Sequence, residues 1–511
     1  MAKAKVAAVI DINSSVVRMN IAQWDTEKIV VLDRLEKPVQ LGKEVFSTGY
    51  VSFDTLGSLL NILNGFREKA FEYGISSLPV IASTAFREAS NQAYILDHIL
   101  RRTKLDVEVL DDTEVSAILF DAMKNHASTP ERDVLFVYGG TGTTDFHLIK
   151  NEKSALAHSI QTGLLKIAEM LREASDFSSH TESMAEEYIY SFLNRENRIK
   201  DMFHASKVFF SAANLQPLYK LLGVSAQDGV VSVKSAALLQ VYDDCRSYSN
   251  EQLCNLYQMP AHQSEMLYST IALLAAILRR TKAKRLYCAQ LSLADALLDI
   301  LLRPGARRSH NSGLRSGALS SAVDLAKRYR CDIAHCLMVT ETAERVLSKL
   351  KGPFGFSKRH ETLLQIACIL HECGYFINSE NTQQATFDLV KNAHIYGLRR
   401  QDALLAANII VPNGFADTRN TGQLDEDILL ASKMNAILQL ADSLDASRKQ
   451  KATLREVSLS DDSLVISVRT DEDITLETWM FRQSALLLRE SFGISPELKV
   501  RSRYGLEESE Q

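Results

Sequence analysis

Val134-Leu135-Phe136-Val137-Tyr138-Gly139-Gly140-Thr141-Gly142-Thr143-Thr144-Asp145 joins an apolar run to a polar return through a turn of glycine and threonine. Residues 134–137 have the length and apolarity of a buried strand. The six positions 139–144 hold three glycines and three threonines. A turn of this composition after a strand points backbone N–H groups at one spot, which is a phosphate cradle; a plain hairpin turn is the alternative. The same opening occurs earlier, where the apolar residues 6–10 lead into Asp11-Ile12-Asn13-Ser14-Ser15. Asp11 there is equally compatible with a strand-end cap.

Around the first turn, residues 5–11, 16–23 and 28–34 read as strands. Residues 53–73 carry Leu56, Leu59, Leu60, Ile62, Leu63 and Phe66 at helical spacing. A short strand at 78–83, a helical run from 85 through 102, a strand at 107–110 and a helix at 114–125 complete an α/β unit. Residues 133–150 restart the pattern as strand, glycine turn and strand, with a third strand near 155–160. A phosphate turn met twice implies a duplicated α/β domain with a cleft between the halves. The second half ends near Pro304, after a strand at 285–289 and a helix at 293–302. Residues 304–313, rich in small and polar residues, read as a linker. Residues 320–447 are almost wholly helical in pattern. Residues 452–504 alternate, with strands at 464–469 and 498–502 flanking a helix at 478–491, and residues 507–511 form an acidic tail. The domains expected are therefore 1–125, 126–304, 314–450 and 451–511.

Composition agrees with several soluble domains. The chain has 511 residues, 46% apolar and 24% charged, with a net charge of −5. That charge gives no global attraction to nucleic acid or to an anionic membrane, so neither is an expected partner. The seven cysteines show no CxxC pair and read as reduced thiols. The apolar stretch 267–278 is too short to span a bilayer, and no signal-peptide pattern precedes the first strand. A cytoplasmic protein is expected.

Several side chains could carry chemistry. Ala82-Ser83-Thr84-Ala85-Phe86-Arg87-Glu88-Ala89 puts hydroxyls at a strand end and Arg87 at a helix start. A guanidinium there could grip phosphate bidentately, or be a surface arginine. Glu114, opening a helix, could serve as general base towards water, or complement the helix dipole. His335, the pair His371-Glu372, and Asp442 could hold a metal from separate helices. Each is also an ordinary polar residue of a helical bundle.

In this order, these pieces resemble the Ppx/GppA family of exopolyphosphatases and guanosine pentaphosphate phosphatases, over nearly the whole chain. The segments at 82–89, at 370–377 (Leu-His-Glu-Cys-Gly-Tyr-Phe-Ile) and at 440–445 (Leu-Ala-Asp-Ser-Leu-Asp) carry the most specific likeness. The resemblance implies duplicated actin-like (ribonuclease-H-like) domains with a cleft, then a helical HD-like domain and a small α+β C-terminal segment. It implies removal of terminal phosphate from polyphosphate or a guanosine polyphosphate (pppGpp), assisted by Mg2+. Asp11 and Asp145 would hold the metal. Ser14, Arg87, Gly140, Thr141, Gly142 and Thr143 would hold phosphate, and Glu114 would be the catalytic base. By the same resemblance, the assembly to look for is a homodimer through the helical region.

The departures fall in the cleft. Asn13 stands where the family has a glycine, Val16 where it has a hydroxyl, and Tyr138 where it has an Asp. The best register puts Val115 at the base position, with Glu114 one residue off; on a helix that offset turns a side chain by about 100°. Ala294-Asp295-Ala296-Leu297 replaces an Arg-Glu-Gly-Leu segment, and residues 211–214 lack a Gly-Gly turn. A histidine implied near Gln384 is absent, so a full phosphodiesterase-type metal site is not expected. Two readings stay open: a phosphohydrolase, or a non-catalytic protein that binds polyphosphate or nucleotide as a sensor or scaffold.

Overall fold

A computed structural model describes residues 5–26, 28–82, 84–126, 133–150, 153–175, 181–195, 197–212, 214–225, 229–245, 250–257, 261–411, 425–460 and 462–501. Ser83, Ala213, Ser502 and the acidic tail lie outside the described residues. The chain divides into two compact units, Met1–Leu314 and Arg315–Gln511.

Unit 1 holds two sheets. The first comprises β1 (Val6–Ile12), β2 (Val16–Asp25), β3 (Lys28–Pro38), β4 (Val80–Ala82) and β5 (Val107–Val109), in the order β3-β2-β1-β4-β5. The first three strands form an antiparallel meander, and β4 and β5 add parallel to β1. The second comprises β6 (Asp133–Gly139), β7 (Thr144–Lys150), β8 (Lys153–Ile160), β9 (Lys207–Ala212), β10 (Val230–Lys234) and β11 (Arg285–Gln290), in the order β10-β11-β9-β6-β7-β8. Read from β8, it repeats the first sheet: an antiparallel meander, then two parallel strands, with β10 added antiparallel at the edge. The duplication expected from the repeated turn is therefore present in strand order and direction.

Burial explains why these segments take these forms. Ala8, Val9, Ile10 and Ile12 of β1 are all buried, so both faces of the strand are covered, as parallel neighbours require. Helix Phe53–Glu72 supplies one cover. Its buried residues Leu56, Leu59, Leu63, Phe66 and Ala70 follow the spacing of one helical face, and Ser52 caps its start by accepting from Thr55 N–H at 3.3 Å. Leu59 and Leu63 are fully buried, so truncating either to Ala would cost about 2–5 kcal/mol. Helix Leu293–Leu302 packs on β1 and β2. Its capping box of Ser292 and Asp295 also takes a hydrogen bond from Asn20 on β2, at 2.7 Å to Asp295.

Residues 306–313, read from sequence as part of a linker, are helical instead: helix Ala306–Arg328 runs through them. Composition misled because that helix turns mostly small and polar residues outward. What fixes it is a contact distant in sequence, His310 Nδ1 to Asp121 Oδ2 at 2.5 Å.

Unit 2 is a helical core followed by a small sheet. Helices Ile333–Phe354, Lys358–Leu370, Thr382–Lys391, Arg400–Ile410 and Asp425–Ser443 enclose a continuous apolar cluster that includes Val346, Ile366, Leu405 and Ile437. Strands β12 (Thr453–Leu459), β13 (Ser463–Arg469) and β14 (Ser495–Arg501) form the sheet β12-β13-β14, with helix Thr475–Phe492 between its last two strands. The first of these strands was not foreseen from sequence. Among the described residues no helix is long and apolar enough to cross a membrane.

Candidate functional site

Both glycine- and hydroxyl-bearing turns occupy the same topological place, between the first and second strands of their sheets. They line one cavity of about 800 Å3 in unit 1. The first turn contributes Asn13, Ser14 and Ser15, and the second residues 139–143. The second turn is closed by Gly140 N–H to Thr143 O at 2.9 Å. It is buttressed by helix Leu164–Ser175, whose first N–H groups, of Leu164 and Leu165, donate to Gly140 O and Thr141 O at 2.8 and 3.1 Å. Gly163 allows that approach: a Cβ there would lie 2.5 Å from the carbonyl carbon and oxygen of Thr141. At Gly142 a Cβ would meet the Thr84 side chain at 2.7 Å. Gly163 was not singled out from sequence; its signal lay in its place immediately before the amphipathic helix at 164.

Asp11 and Asp145 lie behind the lining, at 0% and 2% exposure. Burial pushes each carboxyl up to about 7; at Asp11 the nearby Arg18 and Asn13 pull the other way, and at Asp145 the neighbouring hydroxyls of Ser159, Ser116 and Thr143 do. Asp11 Oδ2 accepts from Asn13 Nδ2 at 2.7 Å, and Asp145 Oδ2 from Thr143 Oγ1 at 3.3 Å. The other oxygen of each carboxyl, and Ser14 Oγ, are buried with no hydrogen-bond partner. Two orphaned carboxylate oxygens and a hydroxyl fit a hard divalent cation in donor chemistry. Tyr138 lines the cavity beside this set. Burial raises its phenol well above the ordinary value, and Asp11 and Asp145 both add to that rise, so the ring stands close to the two carboxyls.

The two remaining candidates are engaged elsewhere. Arg87 donates to Leu110 O at 3.0 Å and makes a close ion pair with Asp112. Asp112 lines the cavity; Arg87 does not. Glu114 reaches back over the first turn of helix Asp112–His126, its Oε2 accepting from Asp111 N–H at 3.2 Å. This is the return half of a capping box. The residue of that helix turn that faces the cavity beside Asp112 is Val115. Behind them Ser116 Oγ contacts His147 Nε2 at 2.7 Å, with the imidazole stacked on Phe120 and pushed down to about 3 by burial.

Unit 2 brings together the side chains that sequence left widely spaced. One ligand atom from each of His335, His371 and Glu372 lies within 4.8 Å of the others. Asp442 Oδ1 is 3.0 Å from His335 Nε2 and 3.6 Å from His371 Nε2. The outer nitrogens fix the rings: His335 Nδ1 meets Asp445 Oδ2 at 2.9 Å, and His371 Nδ1 donates to Cys368 O at 2.7 Å. Both Nε2 atoms have no hydrogen-bond partner of good geometry, whereas Glu372 Oε1 is held by Arg448 Nη1. Imidazoles held at Nδ1 with Nε2 turned inward, beside carboxylates, fit a divalent metal that accepts nitrogen ligands. Burial is the largest influence on both His335 and Asp442 but is overcome: their mutual contact raises the imidazole and, with His371, lowers the carboxylate. Arg448, in a close ion pair with Glu372, supplies the local positive charge. Arg448 was missed from sequence, although it lies six residues beyond Asp442. Gln384, the position of the absent histidine, donates to Asp388 at 3.0 Å instead.

With this geometry in place, similarity to known proteins is informative. Residues 20–302 match the sequence profile of the Ppx/GppA phosphatase family, and residues 319–488 match that of Ppx/GppA phosphatase domain III. The crystal structure of the Aquifex aeolicus member of the Ppx/GppA family superposes with a TM-score of 0.51 at 18% identity, over 61% of this chain and 99% of that one. An exopolyphosphatase from Cytophaga hutchinsonii superposes with a TM-score of 0.52 at 15% identity, over 58% and 97%. At such identities the superpositions speak for the fold, whereas the profile match, which spans more than half of the chain, speaks for descent: this chain belongs to the Ppx/GppA phosphatase family.

Proposed function

We propose that the unit 1 cavity binds the end of a phosphoanhydride chain, polyphosphate or pppGpp, and that the protein binds this ligand without efficient hydrolysis. The observation that carries this reading is the identity of the helix residue at the cavity wall. Val115 faces the space, while Glu114 is spent on the helix cap. A general base must reach the proton it abstracts, directly or through one water. Tyr138 adds to the effect, placing a neutral phenol where the family has a carboxylate.

Binding itself is supported by the two turns, by the room for a chain of several phosphates, and by Arg18, Lys43 and Arg172 in the lining. Glu36, Asp112 and Glu169 balance these cations, so phosphate enters best with its own divalent counterion. In unit 1 we read the duplicated strand order as actin-like (ribonuclease-H-like), and in unit 2 we read the helices bearing His335, His371-Glu372 and Asp442 as HD-like.

The second reading is turnover. It is favoured by the orphaned oxygens of Asp11 and Asp145. These residues would hold Mg2+, which when bound neutralises phosphate oxygens. The chain's own contribution would then be the turn N–H groups of residues 141–143, aimed at developing charge, with Gly140 N–H kept in the turn by Thr143 O.

Titration of long-chain polyphosphate into the protein with Mg2+ tests the binding reading. The expected result is salt-sensitive binding that Gly142→Val, which pushes against Thr84, removes. Equal binding by the variant would move the ligand out of this cavity.

A further inference from the structure

Cys331 and Cys373 face each other in unit 2 with their sulfurs 3.5 Å apart, although 42 positions separate them in the chain. Cys331 is half-buried and reachable from solvent, whereas Cys373 is fully buried beneath it. Both sulfurs sit at firm points of the backbone. Cys331 follows Arg330, which holds a positive φ of 55°, and its N–H closes the end of helix Ala306–Arg328 on Ala326 O at 3.0 Å. Asp332 then caps helix Ile333–Phe354 through Ala334 and His335 N–H, at 3.0 and 3.2 Å. Cys373 opens the turn Cys373–Phe376. There Gly374 is pressed so closely on Thr382 and Thr386 that a Cβ would lie 2.2 Å from Thr382 O.

We propose that Cys331 and Cys373 are an oxidisable dithiol, closed to a disulfide by hydrogen peroxide. Cys331 Sγ attacks the peroxide oxygen, giving a sulfenic acid and one water. Cys373 Sγ then attacks that sulfur, forming the S–S bond and releasing the second water, so two thiols are oxidised and one peroxide is reduced. The sulfurs must approach by about 1.5 Å to reach bonding distance, within the reach of side-chain rotation and a small shift of the loop at 330–332. A half-buried attacking thiol with a buried resolving thiol beside it is the arrangement that favours a disulfide over further oxidation of sulfur.

The consequence is local. The bond would tie the start of the helix bearing His335 to the residue immediately after His371-Glu372, and so join two of the segments that build the imidazole–carboxylate cluster. The proposal stands apart from the reading of the unit 1 cavity and does not depend on any ligand there.

The test is treatment of the full-length reduced protein with hydrogen peroxide, then thiol alkylation and peptide mass spectrometry. The expected result is loss of two of the seven alkylatable thiols and a peptide pair linked through Cys331 and Cys373, reversed by dithiothreitol. Cys331→Ser should abolish the link and leave Cys373 alkylatable. Cys254→Ser, at the other half-buried cysteine, should leave it intact. A sulfinic acid on Cys331 with Cys373 still free, or a link through another pair, would overturn the proposal.

Discussion

The two halves of unit 1 bring the same turn to the same cavity with opposite chemistry. Asp11 and Tyr138 both occupy the penultimate residue of the first strand of a sheet, and each faces the second strand of its hairpin. Asp11 pairs in register with Arg18, which in turn pairs with Glu36; Tyr138 pairs with Asp145. In the first half, an arginine one strand away offsets part of the burial cost of the carboxylate. In the second, a carboxylate is buried beside a phenol with hydroxyls alone for partners. The two hairpins, which depend on backbone bonding and apolar neighbours, are therefore alike, while the side chain at the end of the first strand differs.

The largest effect should come from undoing the difference. The double variant Tyr138→Asp with Val115→Glu should bring phosphate release from polyphosphate with Mg2+ to at least about 100-fold above the background level of wild type, the lower end of what general-base catalysis contributes. No gain, with polyphosphate binding retained, would show that the missing carboxylates are not what limits turnover.

Next is the backbone of the second turn. Gly163→Ala sets a Cβ against the Thr141 carbonyl and must displace the cradle. Its affinity for polyphosphate should fall about tenfold or more, with about 1–3 kcal/mol of stability lost by overpacking. Calorimetric titration and thermal melts check both.

The buried carboxyls give a smaller, pH-dependent effect. Asp11 and Asp145 are pushed up to about 7, so between about pH 4 and 7 the folded state binds more protons than the unfolded one. Their contribution to stability is therefore fully present below pH 4 and is lost as pH rises through 7. Asp11→Asn should match wild type in Tm near pH 4 and exceed it near pH 8. His147, held neutral, works in the opposite direction in both proteins and cancels from that difference. Mg2+ should raise the Tm of wild type at pH 8 more than that of the variant if the orphaned oxygens take a cation. A Tm gap independent of pH would contradict the placement of these charges.

The smallest effect should be at Glu114. Glu114→Gln keeps a capping acceptor and removes only the charge at the helix start, so it should cost about 0.3–1 kcal/mol and leave phosphate release unchanged.

The sequence made the duplicated hairpins legible, because strand apolarity and turn composition are local signals. It also made the long amphipathic helix at 53–72 legible through Leu56, Leu59, Leu63 and Phe66. It misread residues 306–313, where helix is held by His310 against the distant Asp121, a contact no local window contains. The offset of Glu114 from the base position was visible in register, but its cap to Asp111 and the exposure of Val115 to the cavity required the fold. Likewise His335, His371, Glu372 and Asp442 could be named one by one. Their convergence, and the presence of Arg448 and Asp445 around them, depend on how separate helices pack.

The most direct test of the central claim is phosphate release from long-chain polyphosphate by wild-type protein with Mg2+, measured at a concentration where binding of the same polymer is saturated. The account predicts bound polymer and no phosphate above background. Sustained release by wild type that Glu114→Gln abolishes would contradict it, and would mean that the capping glutamate leaves the helix start to activate water.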